Sequence, residues 1–505
     1  MAWGISPRKI AVIPLGEYNA DHYLTLLYHA FENLGWRIGY FDRDGIIGYT
    51  NISWQSYSEE VSVRIINNKV IIKSECVGFQ LFFTDYGKNE KNVELLLGEI
   101  EYVEFHLQHT LVETAQQLMD SVPDNQFINL ADPPMGAKER MVKFSSAFTP
   151  IKNYQVTPIL VIVNAALFII TKIALIAMVV VLALKHNGNA PYSMQDIYLN
   201  LGFSARAEVL NGEVWRLISN TFLHFSFMHI AGNMVVLIYI GSMLEGKLGK
   251  WNYLLLYLFT GICASITSVV WHDNGIAAGA SGAIFGLFGI MLALLNTDFY
   301  ENNARRALLI STGIFVGINI LQFDREVDYP AHIGGLVSGY LFGWLAYWAM
   351  KFKRQRFIAI NTLVVTVVFT GLCIAFAPRY DFKTAGTLAD QIPKIVDSLN
   401  NDFYGDENRQ LADTARIKQL QKYALPRINK LKHMAQQLQQ VPLSQKQHEL
   451  ADIRVKMTVQ QAHIFELLYK EVRDKDYNKY RPEVISASKK LNLLRTEYSR
   501  LLLED

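Results

Sequence analysis

The sequence predicts an all-α polytopic membrane protein carrying a soluble α+β domain before its spans and a soluble helical domain after them. Three observations predict it. Apolar residues make up 51% of the 505-residue chain, and they are concentrated between about residues 155 and 377. Runs there are long enough to cross a bilayer as helix, which takes roughly 20 residues. The two ends are polar and carry the periodicities of ordinary helices and strands.

Residues 1–122 read as the α+β domain, on the cytoplasmic side. In DHYLTLLYHAFENLGW, Asp21 caps a helix whose stripe is Leu24, Leu27, Phe31 and Leu34, and Gly35 stops it. VSVRIINNKVIIKSE alternates Val61, Val63, Ile65 and then Val70, Ile72 about an Asn67–Asn68 turn, a hairpin pattern. HTLVETAQQLMDSV reads as a closing helix. Residues 123–154, including ADPPMGAKERMVKF, form a linker to the membrane.

Seven candidate spans follow, near 156–184, 222–242, 252–271, 276–295, 306–321, 331–350 and 357–377. The first is over-long and contains Lys172; tilt or an interfacial turn can absorb the excess. Lysines and arginines gather before the first span (Lys138, Arg140, Lys143, Lys152), between the second and third (Lys247, Lys250), between the fourth and fifth (Arg305, Arg306) and after the sixth. The other loops are poorer, with Arg325 in one. This bias places the N-terminus in the cytoplasm and, with seven spans, the C-terminus outside. Residues 155–350 then make a six-span core, 351–377 a seventh helix, and 378–505 an exoplasmic helical domain. In the last, Ile417, Leu420, Ile428, Leu431 and Leu438 keep helical spacing, as do Ile453, Met457, Ile464 and Leu467, so two to four helices in a bundle are expected.

Charge is balanced, 48 basic against 46 acidic residues, which disfavours a nucleic-acid partner. The three cysteines, Cys76, Cys263 and Cys373, make neither a disulfide framework nor a zinc site. The opening MAWGISPRKIAVIPLGEYN lacks a charged region followed by an apolar one, so no cleaved signal is expected. A bacterial plasma membrane is the expected location.

Polar side chains inside a membrane are functional candidates by default. The second span holds His224, His229 and Asn233, the fourth opens with Gly279, Ala280, Ser281 and Gly282, and the sixth contains His332. All three spans run from outside to inside. Ser281 is then about five residues into its span, ~7–8 Å deep at 1.5 Å per residue, with His229 about two turns in and His332 near the outer end. A serine hydroxyl needs a base within hydrogen-bond reach to act as a nucleophile. His332 is the histidine at that depth beside a glycine pair, Gly334 and Gly335, continued by Gly339 and Gly343. With Gly282, Gly286 and Gly289 on the fourth span, this is a small-residue packing surface that brings nucleophile and base together. His229 and Asn233, four apart, share a helical face and can donate to an oxyanion, as can the Ser281 amide. No aspartate occupies an evident triad position, so a Ser281–His332 dyad is expected. A glycine repeat alone is a packing device, and a lone intramembrane serine usually back-bonds to its own helix. Their coincidence with His332 at one depth is what raises the reading above these.

These residues resemble the rhomboid family of intramembrane serine proteases over about residues 155–377. The motifs are Trp215-Arg216, His224-x4-His229-x3-Asn233, Glu245-x3-Gly249, Gly279-x-Ser281-Gly282 and Ala331-His332-x-Gly334-Gly335. The resemblance implies a six-helix catalytic core open to the outside, Ser281 as nucleophile, His332 as general base, and His229 and Asn233 at the oxyanion. It implies that Phe285 packs on the base histidine, and that Trp215 and Arg216 structure the first loop. His224 is read as structural, pointing away from the His229–Asn233 face. The seventh span matches a six-plus-one arrangement found in part of the family. Substrates would be single-span membrane proteins with small or helix-destabilising residues near the outer leaflet. No metal or cofactor is called for: HExxH is absent, as are the paired intramembrane aspartates of presenilin-like proteases. The alternative is a non-catalytic membrane-protein binder or quality-control factor on the same fold. Partners of the flanking domains are not named by any motif.

Overall fold

The computed structural model describes residues 7–51, 58–77, 84–122, 148–185, 194–300, 302–321, 327–409 and 411–503. The chain forms two compact units, Met1–Phe376 and Ala377–Asp505. Most of the linker, with Lys138, Arg140 and Lys143, lies outside the described residues, as does Arg325.

The first unit opens with strands β1 (Arg8–Pro14), β2 (Arg37–Asp42), β3 (Gly45–Tyr49), β4 (Glu59–Ile66) and β5 (Lys69–Cys76) and helices α1 (Ala20–Asn33), α2 (Lys88–Leu107) and α3 (Leu111–Asp120). The strands form one antiparallel sheet in the order β1-β5-β4-β3-β2. Asn67 and Asn68 both adopt positive φ (50° and 58°), the two-residue turn whose twist suits a hairpin. It pairs Ile66 with Lys69 and sends Val61, Val63, Val70 and Ile72 to one face, where Leu24, Leu27 and Phe31 of α1 and Leu96 of α2 cover them. The cap of α1 is Asn19, whose Oδ1 accepts from the His22 amide at 2.7 Å. Asp21 instead sits in the first turn, where a negative charge meets the positive end of the helix dipole. Gly35 follows the helix at φ +66°.

The described elements of the apolar region are helices: α4 (Val156–Lys185), short α5 (Met194–Asn200), α6 (Arg206–Leu210) and α7 (Arg216–Ser219), then α8 (Phe227–Leu248), α9 (Lys250–Trp271), α10 (Ser281–Leu295), α11 (Asn302–Leu321), α12 (Tyr329–Lys351) and α13 (Arg356–Phe376). Among the described residues five helices, α4, α8, α9, α12 and α13, are long and apolar enough to cross a membrane, while α10 and the apolar part of α11 are shorter. The chain is an integral membrane protein. Two expected spans begin later than their hydropathy. A 3₁₀ turn (Asn220–Phe222) and an extended Leu223 delay α8 to Phe227. Glycines at positive φ, Gly275 (+106°) and Gly279 (+136°), hold off α10 until Ser281. Ser281 is therefore the first residue of its helix and not five residues inside it, and His229 is the third residue of α8 and not two turns in.

The over-long first span is one continuous helix of 30 residues. Its N-terminus is capped from outside the helix. The Glu245 carboxylate, 1% exposed, accepts from the amides of Gln155, Val156 (2.7 Å) and Thr157 (2.9 Å) and from the Thr157 hydroxyl (2.8 Å). Four otherwise orphaned donors are thereby satisfied by one buried carboxylate.

The second unit holds α14 (Phe382–Tyr404), α15 (Asp406–Arg409), α16 (Asp413–Gln419), α17 (Leu425–Gln440), α18 (Gln445–Asp474) and α19 (Tyr477–Leu503). Leu399, Phe403, Leu420, Ile428, Leu431, Leu438 and Phe465 form its own buried core.

Candidate active site

The segment before α10 is threaded through three backbone anchors. Ser204 and Ala277 exchange backbone hydrogen bonds (3.1 and 2.8 Å), and the Gly279 amide donates to the Asn220 carbonyl at 2.9 Å. Asn220 is held in turn by Ser265, whose hydroxyl donates to its Oδ1 at 3.0 Å. At φ +136° only glycine is comfortable at 279, and space forbids more: a Cβ there would lie 2.8 Å from His229 Nε2 and 3.7 Å from Asn233 Nδ2. The glycine before the nucleophile candidate is thus what lets the chain lie against both donor side chains.

Those donors come from the first two turns of α8. Ser226 caps the helix, its hydroxyl accepting from the His229 amide at 3.2 Å, and Asn233 follows one turn later. His224 does not point away, as the sequence reading had it. Its Nε2 lies 3.0 Å from Asn233 Nδ2 and 3.5 Å from the Ala280 amide, and its ring centroid is 5.1 Å from that of His229. Two N–H groups converge on His224 Nε2, which fixes that nitrogen as acceptor and orients the Asn233 amide. The extended backbone between the 3₁₀ turn and α8 turns His224 inward, a bend invisible to helical periodicity. Arg216 anchors the same loop by donating to the carbonyls of Leu199 (2.5 Å) and Phe203 (2.8 Å) with its guanidinium 4.6 Å over Trp215.

Ser281 opens α10, so its amide has no acceptor within the helix, whose first backbone bond runs from the Ile284 amide to the Ala280 carbonyl at 3.0 Å. His332 lies one turn into α12, 8% exposed, and the Phe285 ring stacks on it at 4.1 Å and 13°. Helices α10 and α12 meet backbone to backbone. A Cβ on Gly335 would fall 2.0 Å from the Gly282 carbonyl oxygen, one on Gly339 2.0 Å from that of Gly286, and one on Gly289 2.2 Å from that of Leu336. Not every glycine serves this seam. Gly334 faces Thr267 of α9 (2.4 Å to Oγ1), and Gly286 faces Thr260 of α9 (2.2 Å to Oγ1). Helix α10 is therefore gripped from two sides. Among the described residues no hydrogen bond joins Ser281 Oγ to His332, and the buried His332 Nδ1 makes none. Unliganded sites often hold such pairs too far apart for a bond until substrate arrives.

Residues 211–349 match the family model of the rhomboid domain. Residues 211–349 are thus a rhomboid-like domain within a longer chain. It is 39% identical over 137 residues to RHOMBOID-like protein 7 of Arabidopsis thaliana, covering 26% of this chain and 43% of that protein. It is 38% identical over 137 residues to Rhomboid-like protease 2 of Toxoplasma gondii, covering 26% and 48%. To Rhomboid protease GluP of Bacillus subtilis (strain 168) it is 34% identical over 141 residues, covering 28% and 27%. The chain spans less than half the length of these relatives. Trp215, Arg216, His224, His229, Asn233, Gly279, Ser281, Phe285 and His332 all fall within the matched residues, while Leu199, Phe203 and Ser204 precede them.

Sequence reasoning missed one group at this site. Asp328 caps α12 by accepting from the Ala331 amide at 3.1 Å, and it also binds Ser268 and His272 of the α9 end. The signal was present: an acidic residue two positions before a proline at the first turn marks a helix start.

Proposed function

We propose that the chain is an intramembrane serine endopeptidase that hydrolyses peptide bonds in or next to transmembrane segments of membrane proteins. What supports this reading is that Gly279, two residues before Ser281, lies against His229 and Asn233, and that Phe285, one turn after Ser281, stacks on His332 of the glycine-locked α12. The carboxylate nearest the base is occupied elsewhere, which supports a dyad.

His332 takes the Ser281 proton as Oγ attacks the scissile carbonyl. The oxyanion then accepts hydrogen bonds from the His229 ring, the Asn233 amide and the Ser281 backbone N–H, donors already in place as charge develops. His332 returns the proton to the departing amine and next deprotonates a water that hydrolyses the acyl-enzyme. Stacked Phe285 limits rotation of the imidazole.

Helix α10 has 15 residues. It rises about 22 Å against a hydrocarbon core of about 30 Å, which sinks the serine below the membrane surface. We place that end outside and the N-terminal domain in the cytoplasm, following the basic loops. A carbonyl inside a transmembrane helix is hydrogen-bonded until the helix unwinds, so the substrates are membrane proteins with small or helix-destabilising residues near the outer leaflet.

The test is labelling by a fluorescent fluorophosphonate, alongside cleavage of a single-span substrate in proteoliposomes. Wild type should label and cleave, and Ser281→Ala and His332→Ala should do neither. A folded wild type that does neither would assign the site to non-catalytic binding of membrane proteins.

A further inference from the structure

The outer end of α9 and the start of α12 are joined by a polar group set apart from the dyad. Asp328 Oδ1 accepts from the Ala331 amide at 3.1 Å and pairs with His272 Nε2 at 3.2 Å, while Oδ2 accepts from the Ser268 hydroxyl. One turn on, the His332 amide donates to the Asp328 carbonyl at 3.1 Å, the first backbone link of the helix that carries the base. The three side chains line a cavity shared with Ser204, Arg206 and Asn274, which brings solvent to the pair. His272 is half exposed (47% for its side chain) and Asp328 less so (29%).

We propose that Asp328 is a positioning residue for His332, and that with His272 and Ser268 it forms a proton-dependent clasp that holds the base helix in register while His272 is charged. The inference rests on the protease reading and deepens it. Neutral His272 can still share a hydrogen bond, but the pair loses its charge-assisted character. The first turn of α12 is then free to shift against α9, and His332 with it.

The surroundings favour the charged pair. The hydrogen bond that His272 donates to Asp328 raises the His272 pKa above its ordinary 6.5 against the opposing effect of burial, helped by the Asp328 and Asp273 charges. Burial pushes the Asp328 carboxyl up, but the hydrogen bonds from His272, Ser268 and the Ala331 amide outweigh it and leave its pKa lowered. From α6, Arg206 is turned to the carbonyls of Val269 (3.1 Å) and Val270 (2.8 Å), and its Nη1 is 3.5 Å from that of His272. On α12 the titratable residues next to Asp328 along the chain are Tyr329 and His332. The sign follows: a raised histidine pKa gives a contribution fully present below about 6.5 that is lost as pH rises through the folded value. The dyad base must be neutral, so it sets the acid limb of the activity profile. The clasp sets an alkaline limb.

The experiment follows substrate cleavage by the full chain in proteoliposomes from pH 5 to 10 for wild type, His272→Gln, His272→Lys and Asp328→Asn. In parallel, the His272 ring is titrated by NMR of ¹³C-histidine protein in detergent, assigned by its loss in His272→Gln. Wild type should lose kcat on the alkaline side by about tenfold, inside the roughly hundredfold that a 1 Å misplacement can cost, with KM little changed. His272→Gln should show the low value with no alkaline limb. His272→Lys, charged throughout, should stay high into the alkaline range. Asn at 328 still caps the helix, so Asp328→Asn should keep the fold, lose the limb and return the His272 titration toward 6.5. Superposable profiles for wild type and His272→Gln would overturn the clasp while leaving the dyad intact. A wild type without turnover would sink the protease reading instead, and the titration then decides the clasp alone: a His272 pKa indifferent to Asp328→Asn overturns it.

Discussion

Gly335→Ala is the sharpest test of the seam between nucleophile and base. The added Cβ would sit 2.0 Å from the Gly282 carbonyl oxygen, 3.0 Å from its carbon and 3.3 Å from the Gly286 amide nitrogen. All three are backbone atoms, so no side chain can swing away. Ordinary contact begins at 3.4 Å, and the two backbones must part by about 1.4 Å at that point. Overpacking of this kind costs about 1–3 kcal/mol. Catalysis is hit as well, since Gly282 follows Ser281 and Gly335 is three residues past His332. A displacement above 1 Å predicts about a hundredfold loss of kcat, or about 2.7 kcal/mol at the transition state. The assay is cleavage of a single-span substrate in proteoliposomes, with Tm by intrinsic fluorescence in detergent. Two controls bracket it. Gly334→Ala meets the Thr267 Cβ of α9 at 2.6 Å, so it should lower Tm as Gly335→Ala does but push α12 from α9 instead of from α10 and cost less in kcat; Gly371→Ala has nothing within 4 Å and should be silent. A Gly335→Ala protein within threefold of wild type in kcat and unchanged in Tm would refute the claim that backbone contact between α10 and α12 sets the dyad.

Glu245→Ala leaves three α4 amides and the Thr157 hydroxyl without their acceptor and should destabilise the membrane unit by about 2–4 kcal/mol, read by unfolding in mixed micelles, with Glu245→Gln recovering part of it. Phe285→Leu removes the ring stacked at 4.1 Å on His332, a contact worth about 0.5–1.5 kcal/mol; kcat should fall by about three- to tenfold with KM unchanged. Ile428→Ala in the second unit should destabilise that unit by about 2–5 kcal/mol in urea unfolding while leaving fluorophosphonate labelling at Ser281 at the wild-type level.

The hairpin and the apolar helices were legible because their signals are local. Two asparagines between alternating valines and isoleucines write a hairpin, and twenty apolar residues write a helix whatever packs against it. Of the stripe Ile417, Leu420, Ile428, Leu431 and Leu438, the last four are buried as their spacing required, and Ile417 packs part-buried against them. Where a short-range alternative competed, the reading slipped. Asn19 took the cap expected of Asp21, because at an extended φ/ψ its side chain reaches the third amide while Asp21 is already helical. Hydropathy ran the fourth span back to residue 276 because it cannot see that Gly275 and Gly279 lie at positive φ.

By itself the sequence determined which residues could do chemistry. Ser281, His332, His229 and Asn233 are conspicuous because polar groups among twenty-residue apolar runs are costly, and their order along the chain already carries the family's pattern. Only the tertiary structure decided how they are supported. That His224 turns inward to orient Asn233, that Gly334 serves α9 while Gly335 serves α10, and that Asp328 ties α12 to His272 and Ser268 are contacts between residues distant in the chain, 9 to 60 residues apart for the hydrogen-bonded pairs. Periodicity reports which face of a helix is apolar, but not which neighbour that face meets. The neighbour is set by how closely backbones approach, and that distance exists only once the helices are packed.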